Sequence, residues 1–406
     1  MRRDDTVAVM AALSAAGGSD CARFVGGCVR NTVMKRPVED IDIATRLTPQ
    51  AVVEALEAAG LRAVPTGIEH GTITAVAKGR PFEITTLRRD VETDGRRAVV
   101  AFTQGWAEDA RRRDFTFNAL YADAEGRLYD PTGAGLADAA AGRVAFVGEP
   151  AARIAEDYLR ILRLFRFYAW YGKGEPDAAA LAAATALRAK VSTLSAERVQ
   201  KEVLTLFRAD DPRPAVRLME SAGVLTQTLP WAKDVARFES LVEIETEILF
   251  ANDPVLRLAA LLADQGAAEA TATALRLSNA DRDRLIGALG SDGPRLISWM
   301  SPRQARQAVW RLGAQRFCDR VMLAWAGSGR TAAAVQWRAL LTIAQTWKAP
   351  IFPLRGEEVE AAGVPHGPLV GAVMREVEDW WVENDFPDDK LALIERLKAV
   401  AQGMAA

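Results

Sequence analysis

Cysteine is scarce in this chain of 406 residues: Cys21, Cys28 and Cys318 are odd in number and lack the paired spacing of a metal site. A zinc module and a disulfide framework are therefore excluded, and reduced thiols in a cytosolic protein are expected. No run of eighteen apolar residues occurs, which argues against a membrane span. The opening MRRDDTVAVMAALSAAGG begins with positive charge but then inserts Asp4 and Asp5, so it reads as a short amphipathic helix rather than a signal peptide. An excess of basic residues is missing too, since 51 Lys and Arg stand against 53 Asp and Glu. That balance excludes a uniformly basic nucleic-acid coat and confines any nucleic acid to a local patch. No fixed-period repeat is present, so a solenoid is not expected.

Apolar residues, by contrast, make up 50% of the chain, enough for two to four cores or a long helical array. The first 150 residues mix two periodicities. CARFVGG reads as a strand running into a glycine turn, VRNTVMKR as a helix and EDIDIAT as a second strand. TPQAVVEALEAAG follows as a helix with Thr48 as N-cap and Gly60 at its end. GTITAVAKG and RPFEITTLR then read as a hairpin turning at Gly79. The expected fold class is α+β, a mixed and mainly antiparallel sheet with helices. After about residue 150, Ala, Leu, Arg and Glu dominate with 3.6-type apolar spacing, and prolines at 176, 212, 214, 230, 254, 302, 350 and 353 cut the remainder into short helices. The segment GVPHGPLVGAVMREVEDWWVENDF ends it as a helix–turn–helix tail or a packed terminal helix.

Two aspartates sit in the otherwise apolar stretch VEDIDIA. In an extended backbone Asp40 and Asp42 share one face while Ile41 and Ile43 take the other. Carboxylates that close repel each other unless a divalent cation holds them, and an oxygen-rich site of this kind suits Mg²⁺. A solvated acidic strand edge explains the same pattern. Glu83 in FEITTLR is a third acid, with Phe82 and Ile84 on the opposite face; it either completes the metal site or makes a surface salt bridge. Gly26 and Gly27 end a strand before a helix, leaving backbone N–H groups free to approach phosphate oxygens, with Arg30 one turn further on. A triphosphate cradle and a metal site thirteen residues later would then face each other, and two-metal phosphoryl transfer is the chemistry such a pair serves.

RRRDFTFNAL, residues 111 to 120, places three arginines before Asp114 and Asn118. It reads either as a charged helix end entering the strand TFNALYAD or as cations for phosphate and polar groups for a ribose hydroxyl. In ARIAEDYLRILRLFRFYAW, residues 152 to 170, Ile154, Tyr158, Ile161, Leu162 and Phe165 form an apolar stripe, and Arg153, Asp157, Arg160 and Arg163 lie on another face. Spacing of three sets Asp157 beside Arg160. The pair is either a surface ion pair or a template for a base edge: the carboxylate accepts from the exocyclic amine of cytosine or adenine, and the guanidinium donates to the adjacent ring nitrogen. Uracil and guanine present the opposite pattern and would be rejected.

Taken together, FVGGCVRN, EDIDIAT, RRRDFTFNAL and AEDYLRILRLFRF occur in an order and spacing that resemble the class II tRNA nucleotidyltransferases, the CCA-adding enzymes, and the related bacterial poly(A) polymerases. The resemblance spans residues 20 to 170. It implies a polymerase-β-type nucleotidyltransferase head (1–140), then an all-α neck with the nucleotide-selecting helix (141–225), body (226–350) and tRNA-binding tail (351–406). It implies that Asp40 and Asp42 hold the catalytic metals, taken as two Mg²⁺ ions, and Glu83, from the reading of its strand, is counted with them as a catalytic candidate. Gly26, Gly27 and Arg30 would contact the triphosphate, Arg112, Asp114 and Asn118 would lie at the sugar and phosphates, and Glu156, Asp157, Arg160 and Arg163 would form the template. The implied partners are CTP, ATP and the tRNA 3′ end, with no membrane, in the cytoplasm. Asn31 departs from the aspartate usual after the arginine, keeping the acceptor oxygen and losing the charge. The segment from LRRDVETDGRRAVVAFTQ to WAEDARRRD resembles the flexible loop that full CCA addition requires. With only His70 and His366, a His-Asp phosphohydrolase domain is not expected. Poly(A) polymerase, a CC-adding or A-adding specialist and a catalytically silent RNA-binding protein are the alternatives.

Overall fold

Strand and helix follow one another as the two periodicities dictate. Among the described residues the strands are β1 (Ala22–Val25), β2 (Asp42–Thr45), β3 (Arg62–Gly67), β4 (Thr72–Ala77), β5 (Arg80–Thr86), β6 (Arg88–Asp94), β7 (Arg97–Phe102), β8 (Tyr121–Ala122) and β9 (Leu128–Tyr129). The helices that matter here are α1 (Asp4–Gly17), α2 (Gly27–Val33), α3 (Pro49–Ala58), α4 (Trp106–Arg111), α5 (Gly135–Ala141), α6 (Pro150–Glu156), α7 (Leu159–Tyr171), α8 (Ala178–Leu187) and α9 (Ala196–Phe207). The computed structural model describes residues 3–94, 97–249, 251–329 and 331–405. Its contacts divide into two units, Met1–Pro230 and Trp231–Ala406.

The main sheet has the order β3-β4-β5-β2-β1-β8-β9. Every neighbouring pair in it is antiparallel except β2 with β5, so the mainly antiparallel expectation holds. The parallel pair matters most for function, because it sets Asp42 opposite Glu83. The β4–β5 hairpin turns through Lys78 and Gly79, both left-handed at φ 49 and 78, which matches the twist of the flanking strands. Thr48 caps α3 by accepting from the Ala51 N–H (3.3 Å), and Gly60, at φ 71, follows its end.

Alternation then decides which face is core. Ile73, Ala75, Phe82 and Ile84 are buried where α1 and α3 pack on the sheet. Burying Phe82 and Ile84 contributes roughly 2 kcal/mol each. On the other face Val25, Ala44, Leu87 and Ala110 gather around Trp106 and Tyr121, whose rings meet edge to face at 5.4 Å. Asp42 and Glu83 share the parity of Ala44, so they stand on this second face.

Three local expectations are corrected, and the segment that resembles a flexible loop takes a definite pairing. The strand of EDIDIAT begins only at Asp42, so Asp40 lies in the preceding loop. TFNALYAD is no strand: Thr116–Ala119 is a single 3₁₀ turn ahead of the two-residue β8. LRRDVETDGRRAVVAFTQ pairs with itself as the β6–β7 ribbon, although Gly95 and Arg96 lie outside the described residues, as do Met1 and Arg2 of the N-terminal segment. The single helix read over 152–170 is two. Asp157 takes extended backbone (φ −154, ψ 106), and its Oδ1 accepts from the Leu159 N–H (3.1 Å), which starts α7 afresh. Aspartate competes with the helix for its own backbone donors in this way.

The second unit is helical throughout its described elements, and prolines open several of them, as at Pro254, Pro302 and Pro368. Its last two helices, Pro368–Glu383 and Lys390–Ala405, pack together over a cluster containing buried Val373, Val377, Trp381, Leu393 and Leu397. Among the described residues no helix is long and apolar enough to cross a membrane.

Candidate active site

The glycine turn and the acidic pair meet as their spacing predicts. Gly26 sits between β1 and α2 with φ 68 and ψ −124, a conformation that a side chain disfavours. A Cβ built on it would stand 3.7 Å from Arg113 Nη1 and 4.0 Å from Asp42 Oδ2. The backbone of the turn therefore lies against the carboxylate. Ile41 and Ile43 are buried, Asp42 is half-buried and Asp40 and Glu83 are exposed. Burial pushes the Asp42 carboxyl up to about 6, with Glu83 and then Asp40 adding to the shift while Arg113 and Arg30 oppose it. A cleft of about 350 Å³ is lined by Gly27, Arg30, Asn31, Asp40, Asp42 and Tyr171, among others.

The donor set is the test for a cation. Among the described residues no three His, Cys, Asp or Glu side chains gather into a metal cage. The Asp40 and Asp42 carboxylates line one cleft and are nevertheless oxygen donors of the kind Mg²⁺ takes, and Mg²⁺ fills its remaining positions with water and phosphate oxygens. Asp40 and Asp42 fit that partial site.

Of the three consecutive arginines, Arg113 is the one beside Asp42. Arg113 donates to Asp109 Oδ2 (2.9 Å) and to the Tyr121 hydroxyl (3.2 Å), while Arg112 donates to Asp109 Oδ1 (2.8 Å). Asp109 is deeply buried, which alone would raise its carboxyl, but Arg113, Arg112 and the Tyr121 hydroxyl bring it down to about 2. This anchor went unread because the bare alternation of charges in WAEDARRRD does not say which arginine the buried aspartate holds.

Beneath the glycine turn runs a continuous chain of hydrogen bonds. Arg30, buried, donates to Asn118 Oδ1 (2.6 Å); Asn118 Nδ2 donates to Asp114 Oδ1 (2.9 Å); Asp114 Oδ2 accepts from Arg163 Nε (2.8 Å) on α7. Burial raises the Asp114 carboxyl, and Arg163, Asn118 and the Phe115 N–H more than reverse it, to about 2. Tyr171, the last residue of α7, closes the circuit. Its hydroxyl accepts from Arg30 Nη2 (2.7 Å) and donates to Asn31 Oδ1 (3.2 Å), and its ring lies 4.1 Å from the Arg30 guanidinium. Asn31 Oδ1 also accepts from Arg30 Nε (3.1 Å), and Asn31 Nδ2 donates to the Pro37 carbonyl (2.7 Å). A carboxylate at position 31 has no such donor, so the asparagine does more than preserve an acceptor.

The four residues expected to form a template, Glu156, Asp157, Arg160 and Arg163, are close in sequence but paired differently from the expectation. Asp157 does not sit against Arg160. Its Oδ2 accepts from Arg198 Nη2 on α9 (2.6 Å), whereas Arg160 Nη1 donates to Glu156 Oε2 (2.7 Å) and to the Arg153 carbonyl (2.8 Å). The break at Asp157 removes the helical spacing on which the expected pair depended. Arg160 Nη2 reaches the Arg112 carbonyl (3.2 Å), so α7 leans on the arginine-rich segment of the head. Arg198, forty-one residues away in sequence, carries no local signal that ties it to Asp157.

Comparison with known proteins gives this geometry a family. Residues 22–145 match the Poly A polymerase head domain, and residues 175–235 match the probable RNA and SrmB-binding site of polymerase A. The fold is that of solved CCA-adding enzymes: the Bacillus stearothermophilus enzyme in complex with CTP superposes with a TM-score of 0.78 at 22% identity, covering 99% of this chain and 100% of that one. The Thermotoga maritima enzyme complexed with tRNA gives 0.70 at 18% identity, covering 99% and 97%. The mitochondrial CCA tRNA nucleotidyltransferase 1 of Mus musculus is 31% identical over 393 residues, which are 93% of this chain and 86% of that protein. The chain belongs to the CCA tRNA nucleotidyltransferase family.

Proposed function

We infer that this chain adds C, C and A in turn to the 3′ end of tRNA, from CTP and ATP, without a nucleic-acid template. The observation that carries the reading is the Asp42 carboxylate set against the Gly26 turn, in register with Glu83. In the reaction the primer 3′ hydroxyl oxygen bonds to the α-phosphorus, the bond from that phosphorus to pyrophosphate breaks, and the hydroxyl proton is released. Two Mg²⁺ ions held by Asp40 and Asp42 would supply Lewis acidity at the attacking hydroxyl and charge neutralisation at the departing pyrophosphate.

The chain's own side chains do the rest. Gly26 and Gly27 let the backbone approach the phosphates, and buried Arg30 offers positive charge from below. Arg112, Asp114 and Asn118 form the shelf for sugar and phosphates, with Arg163 holding Asp114 in place. Asp157 spends one oxygen on the Leu159 N–H and one on Arg198. A carboxylate has about four acceptor positions, so it retains capacity for an exocyclic amine. Arg160, steadied by Glu156, keeps donors for the ring nitrogen beside that amine. The helical neck (141–225), body (226–350) and tail (351–406) give the length to grip a tRNA, with the tail as the binding end. We place the protein in the cytosol on its buried, unpaired Cys21 and Cys28; family members also work in mitochondria.

The test is incorporation of labelled nucleotides into tRNA ending at the discriminator base. CTP alone is expected to add two residues and CTP with ATP three, with none from UTP or GTP. Unlimited extension of many RNAs by ATP alone would replace this reading by poly(A) synthesis, and arrest after two residues with both nucleotides present would make it a CC-adding specialist.

A further inference from the structure

The turn that leaves α2 runs through Lys35 to Arg36 at the cleft. The Lys35 N–H donates to the Thr32 carbonyl (3.1 Å) and the Arg36 N–H to the Asn31 carbonyl (2.7 Å), the paired closure of a helix C-terminus, with Lys35 left-handed at φ 55. Glycine is the usual occupant, so a lysine there holds a disfavoured backbone. The Asn31 amide then fixes the Pro37 carbonyl, immobilising the residue after Arg36 as well. Arg36 is thus carried on a rigid turn, and its guanidinium lies 5.0 Å from the centroid of the Tyr171 ring. The same ring carries Arg30 at 4.1 Å. Arg36 lines the cleft of Asp40 and Asp42, and among the described residues no carboxylate forms an ion pair with it, although Glu39 lines that cleft too.

We propose that Arg36, seated on Tyr171, binds the outer phosphates of the incoming CTP or ATP and the pyrophosphate that leaves. The proposal rests on nucleotidyl transfer at Asp40 and Asp42. Two guanidinium groups on one aromatic ring repel each other, and a ligand bearing several negative charges offsets that repulsion where a single phosphodiester does not. Triphosphate and pyrophosphate have that charge density. The α2 segment that lines the cleft, Gly27 to Asn31, also belongs to the turn beside Asp42, so the cleft leads away from the metal-binding acids in a continuous path.

Steady-state kinetics on tRNA lacking CCA, with pyrophosphate as product inhibitor, test it alongside calorimetric titration of the tRNA-free enzyme with inorganic pyrophosphate. In Arg36→Ala the KM for CTP and for ATP should rise together by about tenfold, and the pyrophosphate inhibition and dissociation constants by a similar factor. The KM for tRNA should stay unchanged, and Arg36→Lys should recover part of the loss. Arg36 is exposed, so the variant should keep the wild-type melting temperature. A rise confined to the tRNA KM would assign Arg36 to RNA and overturn the proposal. Unchanged nucleotide and pyrophosphate constants would overturn it as well. Wild-type protein that incorporates nothing would instead defeat the underlying reading.

Discussion

At neutral pH the folded chain carries a charge at Asp42 that burial and Glu83 both disfavour, since its carboxyl is pushed up to about 6. Function and stability oppose each other at such a position. Asp42→Asn should reduce nucleotide incorporation to background, leave tRNA binding by filter retention within about twofold, and raise stability in EDTA by about 1 to 3 kcal/mol in urea titrations. A variant that is both inactive and less stable would contradict the electrostatic account. A second residue-scale expectation concerns Arg198. Removing it frees the Asp157 carboxylate from its partner, so Arg198→Ala should lower the CTP-over-UTP ratio of kcat/KM by roughly tenfold. An unchanged ratio would show that Asp157 is oriented without it. Parity along VEDIDIA made the acids legible, because alternation survives even where the strand shortens to begin at Asp42. Partner choice was not legible: Arg198 and Tyr171 reach the site only through tertiary packing.

At the scale of elements, α7 is tied to the head through Arg160 to the Arg112 carbonyl, through Arg163 to Asp114 and through Tyr171 to Arg30. Arg163→Ala leaves a buried carboxylate without its cation. The expected loss is about 2 to 4 kcal/mol in urea unfolding, less than for a fully buried pair because the Arg163 side chain is 30% exposed. Arg163→Lys should recover little of this, since Arg163 approaches Asp114 with both Nε and Nη2 and an ammonium has no such fork. A loss below about 0.5 kcal/mol would mean that the contact is no more than a surface pair. The sequence reading placed α7 correctly as an amphipathic helix, and Ile154, Ile161, Leu162 and Phe165 are buried as its stripe requires. It missed the break at Asp157 because the side-chain cap that causes it competes with an otherwise uninterrupted helical pattern.

For the molecule as a whole, Asp109 and Asp114, two of its buried aspartates, predict how it meets acid. Burial raises each carboxyl and the arginines around it overcome that effect, to about 2 in both cases. Because the folded values lie below the unfolded value of about 3.9, the stability they contribute is fully present above that pH. It is lost as pH falls toward about 2. Each contributes on the order of 2 kcal/mol, so urea stability should fall between about pH 4 and 2, and Asp114→Asn should remove about that much of the fall. An equal drop in the variant would place the acid sensitivity elsewhere. The change from mixed strand and helix to helix alone after about residue 150 was legible from composition and from prolines such as Pro254 and Pro302 at helix starts, whereas the boundary between the two units falls later, after Pro230. Contacts such as Trp381 against Phe386 at 5.0 Å were not, because periodicity names a buried face without naming what covers it.

On the proposed function, Asp40, Asp42 and the glycine turn form one nucleotidyl-transfer site whose product is a CCA end. The most direct measurement is a time course on tRNA transcripts ending at the discriminator base, with CTP, ATP, UTP and GTP singly and in pairs, in Mg²⁺ and in EDTA. Two residues from CTP alone, three from CTP with ATP, none from UTP or GTP and none in EDTA are the predicted result. No incorporation by the wild-type protein in Mg²⁺ would contradict it and return the paired aspartates to a solvated strand edge.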